Sequence, residues 1–304
     1  MRIFLTGATG YIGSAVLDAL LRHNHQVTAL VRTPAAADAL ASRGVTPVLG
    51  DLRTVKSYRA AANAHDAYIH AAADASPHRE EIDRIAIDTL LAAASDSATY
   101  SPVSFVYTSA LWVLGSNAQP LDEMAQANPG LLLGWRPSHE ERVLAAAGAH
   151  LRTAVIRPGI VYGGNRGIVS DLLKNALNGL IRVIGTGENY WPLVYDRDLA
   201  DLYVRVATAA RSSGIYHAND EGDETVNAIV EGIAGQVSMR PDVRHVPLEE
   251  ARKKLGAYAD ALALNQRARG PRARALGWSP TLHSVGTNVP RLLEEFRRAQ
   301  ERAA

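Results

Sequence analysis

The chain has 304 residues, 47% of them hydrophobic and 21% charged, with a formal net charge of +1 from 32 basic and 31 acidic side chains. This is the composition of a globular protein long enough for one large core or two joined ones, and it excludes a disordered or fibrous chain. Near-neutral charge gives no concentrated basic face for nucleic acid or an acidic membrane surface, and the absence of cysteine excludes disulfides, thiolate metal sites and a cysteine nucleophile.

In chain order, short apolar runs alternate with longer stretches of helical period, which predicts parallel strands joined by helical crossovers. Strands are expected at 2–6, 26–31, 46–49, 67–70, 104–108 and 153–157, with helices near 11–23, 35–43, 54–64, 79–97 and 136–148. These make an α/β fold with a doubly wound parallel sheet of Rossmann type over residues 1–162, with 190–220 also belonging to it. From Gly163 onward the rhythm is less regular and a smaller, discontinuous C-terminal α/β substrate domain is expected over 163–304. Its elements are helices near 168–179, 197–210, 225–236, 247–256 and 286–302, a turn at Gly185 to Gly187 and a strand near 214–218. The basic stretch 267–274 reads as a solvated face or loop, and 257–280, with its Gly, Pro and Arg residues, as extended or mobile. No apolar run approaches the roughly 18 residues that cross a bilayer, and the first, at residues 3–5, is too short for a signal-peptide core, so the cytoplasm is the default location.

The first strand runs into Gly7-Ala8-Thr9-Gly10-Tyr11-Ile12-Gly13 and then a helix. Gly7 permits the tight strand-to-helix turn, Gly10 lets the backbone approach a diphosphate, and Gly13 allows close packing of helix on strand. A diphosphate then sits on the helix N-terminus, where unpaired N–H groups and the helix dipole favour negative charge. Three spaced glycines alone are common in turns; the preceding strand and following helix are what make this a dinucleotide loop. The second strand ends Leu30-Val31-Arg32, where a carboxylate would accept from a ribose 2′-hydroxyl. Arg32 instead offers a guanidinium fork to a 2′-phosphate, so NADP(H) is favoured over NAD(H), the alternative being an exposed Arg after a strand. Asp51 and Leu52 follow the third strand, in position to flank the adenine.

With these residues in view, the chain resembles the extended short-chain dehydrogenase/reductase superfamily, in particular its epimerase/dehydratase-like members. The blocks that carry the resemblance are the glycine loop, Gly50-Asp51-Leu52, His70-Ala71-Ala72-Ala73, Arg157-Pro158-Gly159-Ile160-Val161-Tyr162-Gly163 and Val194-Tyr195-Asp196-Arg197-Asp198-Leu199-Ala200, in that order. The resemblance implies that Thr9, Tyr11 and Ile12 of the loop and the backbone at Ala71, Ala72 and Ala73 lie along the cofactor. It also implies that Pro158, Gly159, Ile160 and Val161 border the nicotinamide, that Asp198 joins the two parts structurally, and that a homodimer is the common arrangement.

The same resemblance implies a Ser or Thr after the fifth strand and a Tyr-x-x-x-Lys pair on the next helix. In that arrangement the Tyr transfers a proton while the Lys lowers its pKa and holds the ribose. Here Tyr107-Thr108-Ser109-Ala110 supplies Ser109 as catalytic hydroxyl and Thr108 beside the cofactor, but the helix reads Trp135-Arg136-Pro137-Ser138-His139. An indole N–H donates and does not exchange a proton near neutral pH, so Trp135 does not replace the tyrosine. His139 either points into the cleft, to titrate or to bond the ribose, or is a partly exposed helical histidine. Tyr162 is the preferred substitute proton donor; Tyr107 is set aside because strand alternation turns it away from Thr108. Trp112, Trp135 and Trp191 form either an aromatic wall for substrate or buried core indoles. Glu140 and Glu141 read as a solvated helical face, and no His/Asp/Glu cluster has metal-ligand spacing. The segment around Ser109, with these tryptophans and Ala259-Asp260-Ala261-Leu262, resembles a branch of the superfamily lacking the tyrosine pair.

Three functions follow as expectations. The first is an NADPH-dependent reductase of a small organic carbonyl or activated double bond, with Ser109 polarising the oxygen and the proton from His139, Tyr162 or water. The second is a non-redox isomerase, cyclase, epimerase or dehydratase. The third is a non-enzymatic NADP(H) sensor.

Overall fold

The structure is a computed structural model that describes residues 1–97 and 102–301. Its first half runs β1 (Arg2–Thr6), α1 (Tyr11–Arg22), β2 (Gln26–Val31), α2 (Pro34–Ala41), β3 (Thr46–Leu49), β4 (Ala67–His70), α3 (Arg79–Ser95), β5 (Val103–Thr108), α4 (Arg136–Ala145) and β6 (Leu151–Pro158). There follow β7 (Ile160–Tyr162), α5 (Ile168–Leu177), β8 (Leu180–Ile184), β9 (Tyr190–Trp191), β10 (Leu193–Tyr195), α6 (Asp196–Thr208) and β11 (Gly214–Ala218). The chain ends with β12 (Glu224–Thr225), α7 (Val226–Ala234), β13 (Asp242–Val246), α8 (Leu248–Leu255), α9 (Ala257–Leu262), α10 (Pro271–Ala275) and α11 (Val289–Glu301).

A seven-stranded sheet in the order β11-β6-β5-β4-β1-β2-β3 is parallel throughout. Order reverses at β1, so a crevice opens at the carboxyl ends of β1 and β4, where a Rossmann sheet takes its ligand. Strand alternation sends Ile3, Leu5, Val106 and Ala154 into one core with α1 and α6, and Phe4, Tyr68, Phe105, Tyr107 and Val155 into another with Ile87 and Leu90 of α3. Helices on both faces explain why these strands are apolar throughout rather than alternating. A third core gathers α5, α7 and α11 around β8 with Trp191 and Tyr195. No described helix is long and apolar enough to cross a membrane.

Three sequence expectations are corrected. The helix expected over 54–64 is only a 3₁₀ turn at Val55–Ser57. Ser57 Oγ there donates to Thr54 O at 2.6 Å and accepts from Asp51 N at 3.1 Å, so a side chain takes over backbone partners that a helix needs. The 257–280 segment is partly helical rather than extended throughout: it forms α9 and α10, while between them 264–270 runs extended beside 117–121, with Gln266 buried and donating to Leu111 O and Gly115 O. The basic stretch 267–274 is, as expected, a partly exposed loop leading into α10, and its arginines have partners, Arg269 with Asp223 and Arg274 with Glu221, while Arg267 and Arg272 donate to Ala118 O and Ser213 O. The last helix begins only at Val289, after a turn at Gly286–Asn288, and residue 302, where it was expected to end, lies outside the described residues. The parallel pairs β7·β10 and β8·β13 and the antiparallel pair β9·β12 escaped the sequence reading because strands of two to five residues carry too few positions for a period to show.

Candidate active site

Thr6 ends β1, and Gly7 turns the chain with φ at 79°. A Cβ on Gly7 would stand 2.6 Å from Ala71 O and Ala72 N, so the loop lies pressed against the segment after β4. A Cβ on Gly13 would overlap the Gly7 carbonyl, which is why α1 approaches so closely. Gly10 caps α1 in an extended conformation, its N–H donating to Gly7 O at 2.8 Å. The first-turn amides of α1, with no intrahelical partner, form a cradle that fits a diphosphate. Thr9 is exposed, its carbonyl accepting from Arg166, and Tyr11 reaches across to donate to Gly163 O at 2.8 Å. Arg32 is exposed just past β2 and, among the described residues, belongs to no ion pair. Beyond β3, Asp51 accepts from Arg53 N and Leu52 packs on the core.

A cavity of about 400 Å³ opens beside this loop. Gly10, Tyr11 and Ile12 form one side, Ala71 and Ala73 another, and Ser109 and Trp112 face the 158–161 segment's Pro158, Gly159, Ile160 and Val161. Gly7, Gly13 and Ala72 support the loop from behind rather than lining the cavity. Ser109 is 5% exposed; its N–H donates to Ile156 O at 2.8 Å, and its Oγ is buried with no hydrogen-bond partner in the fold. Thr108 points the other way, its hydroxyl 2.6 Å from that of Tyr203 on α6.

The remaining sequence candidates lie elsewhere. His139 is 3% exposed and donates from Nδ1 to Asp83 Oδ2 at 2.8 Å, so it neither reaches the cleft nor stands half exposed. The helix opens at Arg136 with Pro137 in its first turn, which turns position 139 inward against α3. Asp83 also accepts from Tyr107 (2.6 Å) and from His70 Nε2 (3.2 Å), and Thr6 donates to His70 Nδ1 at 2.6 Å. Burial by itself raises the Asp83 carboxyl, but the bonds from His139 and His70 outweigh it and hold it well below the usual carboxylate range. Register explains the chain of contacts, since Thr6, His70 and Tyr107 are neighbours across β1, β4 and β5. Arg136, which sequence reasoning passed over, donates from Nη1 to Tyr107 OH (2.9 Å) and to Thr108 O (2.8 Å), fixing the strand end just before Ser109.

Tyr162 is fully buried and donates to Asp220 Oδ2 at 3.2 Å; burial and the nearby carboxylate push its hydroxyl far above the ordinary tyrosine value, so it is no proton donor to the cavity. Trp135 packs edge-on to His139 under the Arg136 guanidinium, and Trp191 is a core indole donating to Leu262 O at 2.9 Å. Of the three tryptophans only Trp112 lines the cavity. Glu141 is exposed, but Glu140 is buried against Arg157, with contacts at 2.5, 3.0 and 3.2 Å, and is not a solvated face. Asp198 accepts from Thr281 N and Oγ1, both at 2.8 Å, and ties α6 to the C-terminal segment.

Asp220 contributes a fall in stability with rising pH, opposite in sign to the buried His217, whose imidazole is held down to about 3. Burial raises the Asp220 carboxyl to about 7, the Gly222 amide opposes this and Glu224 adds to it. A folded value above the unfolded one contributes stability that is full below about pH 4 and is lost as the pH rises through the folded value. Asp220→Asn is expected to shift the change in urea midpoint from about pH 5 to about pH 8 in the positive direction relative to the wild type; an unchanged difference would show that Asp220 does not titrate in this range.

Comparison with known proteins gives the class. The model of the NAD dependent epimerase/dehydratase family matches residues 3–218. Among relatives, an uncharacterized protein of Schizosaccharomyces pombe is 31% identical over 305 residues, covering 95% of this chain and 98% of its own. A 4-hydroxy-2-methyl-3-oxo-4-farnesyl-3,4-dihydroquinoline-1-oxide ketoreductase of Stigmatella aurantiaca is 25% identical, covering 98% and 90%. Among solved structures, the human epimerase family protein SDR39U1 with NADPH has a TM-score of 0.77 at 20% identity, covering 97% and 99%. The dTDP-glucose 4,6-dehydratase of Streptomyces venezuelae with NAD reaches 0.82 at 21%, covering 99% and 98%. The chain belongs to the NAD-dependent epimerase/dehydratase family, and with it to the extended short-chain dehydrogenase/reductase enzymes. The cofactor of an NAD-dependent family is a nicotinamide dinucleotide, and the α1 cradle fits its diphosphate.

Proposed function

We propose that the protein is an NADPH-dependent reductase of a small organic carbonyl or activated double-bond substrate. The observation that carries this reading is Ser109, a residue of the cavity wall whose buried hydroxyl has no partner among the described residues; a buried donor of this kind is stabilised when a substrate oxygen reaches it and accepts from it. The α1 cradle would hold the diphosphate, Arg32 the 2′-phosphate, and the 158–161 segment the nicotinamide. The chemistry that a bound nicotinamide supplies is hydride transfer to the carbonyl carbon, NADPH leaving as NADP⁺. Ser109 donates to the carbonyl oxygen as negative charge develops there. Among the described residues the cavity lining includes no carboxylate, imidazole or ammonium group, and Tyr11 is committed to Gly163 O with its hydroxyl raised by burial and by Asp196. The proton that completes the alcohol would therefore come from water that enters the cavity with the substrate. The same lining offers no base to remove a carbon-bound proton, which favours reduction over dehydration or isomerisation. The ketoreductase relative and the NADPH-bound neighbour point the same way.

Calorimetric titration with NADPH, NADP⁺, NADH and NAD⁺ tests the reading. The expected outcome is preference for the phosphorylated pair, with Arg32→Ala weakening that pair alone by about 10- to 100-fold, as befits one charge-assisted contact. Equal binding of all four, unchanged in Arg32→Ala, would overturn the NADP(H) assignment; no binding of any would overturn the reductase.

A further inference from the structure

A second cavity, of about 500 Å³, lies in the C-terminal part between α5, β8, α8 and α9. It adjoins the first: Ile168 lines both, and Trp112 of the first makes an edge-on contact with Tyr258 of the second, ring centroids 6.1 Å apart. We propose that this second cavity is the chamber for an apolar chain carried by the substrate, so that the enzyme reduces an amphiphilic ketone whose carbonyl lies at Ser109 and whose alkyl or isoprenoid arm extends past Ile168. The inference rests on the reductase reading and names its substrate class.

The walls set the chemistry. Leu172, Val183, Ile184, Trp191 and Leu262 present carbon to the space, and the one indole N–H among them is already given to Leu262 O. The half-buried polar groups of the lining are the Asn175 amide and the Tyr258 hydroxyl, so a ligand polar throughout would recover little of the hydration it loses there. The charges belong to exposed residues: Asp171 and Lys174 on α5, Glu250 and Lys254 on α8, and Arg182 on β8. Each helix sets one cation beside one carboxylate, within a single helical turn, so the surround is close to charge-balanced and offers no concentrated positive field for a nucleotide's phosphates. The first cavity is about 400 Å³ and has to take both the nicotinamide and the reacting carbonyl. The rest of any larger substrate is directed into the second, whose volume is within the usual range for ligand pockets.

The test is a homologous series of n-alkyl phenyl ketones from acetophenone to octanophenone, followed by NADPH oxidation. The expected result is a kcat/KM that climbs by up to about fourfold per added methylene, as apolar burial gives, until the chamber is full. Ile184→Trp, which fills the chamber, is expected to collapse the ratio of long- to short-chain kcat/KM, its fold checked by circular dichroism and NADPH titration. A second readout is independent of turnover: calorimetric binding of octanophenone to the protein without nucleotide, expected to be lost in Ile184→Trp. Turnover of acetophenone with no rise along the series and no octanophenone binding would overturn the chamber and leave the reductase standing. Octanophenone binding lost in Ile184→Trp, with no ketone reduced, would uphold the chamber and overturn the reductase. Binding of UDP-glucose that Ile184→Trp abolishes, with none of octanophenone, would overturn the apolar assignment.

Discussion

Glu140→Leu is expected to cost the fold about 3–5 kcal/mol, because it leaves a guanidinium buried with no counter-charge. Glu140 and Arg157 are each 3% exposed, and Arg157 places both Nε and Nη2 on the carboxylate. Among the described residues nothing else supplies Arg157 with a carboxylate, and its Nη1 reaches the His217 imidazole at 3.5 Å. Burial and that same guanidinium hold His217 down at about 3, so the histidine does not share the charge by binding a proton of its own near neutral pH. Isolating the pair's energy takes a cycle: Glu140→Leu, Arg157→Met and both together, in urea denaturation. Each single variant is expected to be strongly destabilised, while the double variant, which removes both charges and keeps the volume apolar, recovers most of the loss. Single variants within about 1 kcal/mol of the wild type would show that the pair is solvated in solution. The pair also bears on the site, since Arg157 is the residue before Pro158 and Glu140 pins β6 to α4 just where the strand delivers the 158–161 segment to the cavity.

What the sequence makes legible is what its local spacing encodes. The glycines at 7, 10 and 13 follow from backbone clearances of a few ångströms, and each meets a specific backbone neighbour in the fold. Period-two alternation separates Tyr107 from Thr108, and the two side chains do take opposite faces, toward Asp83 and Tyr203. Asp198 followed from a family block and ties the two parts together. What spacing leaves out is which side chain finds a partner across the chain. His139 and Glu140 look like surface helix residues until Asp83 from α3 and Arg157 from β6 close on them. Asp83 itself left one trace: it is an acid between Ile82 and the run Ala86, Ile87, Leu90, on the buried side of α3. A carboxylate on an apolar helix face calls for donors, and the two histidines and tyrosine that answer it lie 13, 56 and 24 residues away. The two short helices of the 257–280 segment are hidden for a related reason. Gly270 and Pro271 mark the start of α10, and the extended stretch before it is joined by Asn265 and Gln266 to the loop that follows Ser109.

Ser109→Ala separates function from fold most sharply. If the hydroxyl stabilises the developing charge on a substrate oxygen, its removal is expected to lower kcat for ketone reduction by about 10²–10³-fold, the size found for one oxyanion donor in a water-poor site. Stability should move the other way or not at all. A buried hydroxyl bonded within the fold contributes about 1 kcal/mol, but Ser109 Oγ has no such partner, so alanine removes a desolvated polar group without breaking a bond. NADPH affinity should also hold, because neither the glycine loop nor Arg32 is touched and the Arg136 bond that fixes this strand end is to the Thr108 carbonyl, not to Ser109. The three readouts, turnover, urea midpoint and nucleotide titration, therefore diverge for this one change. A structural serine would give the opposite pattern, with a lower midpoint and nearly unchanged kcat, and that result would remove Ser109 from the chemistry and with it the observation on which reduction at this cavity rests.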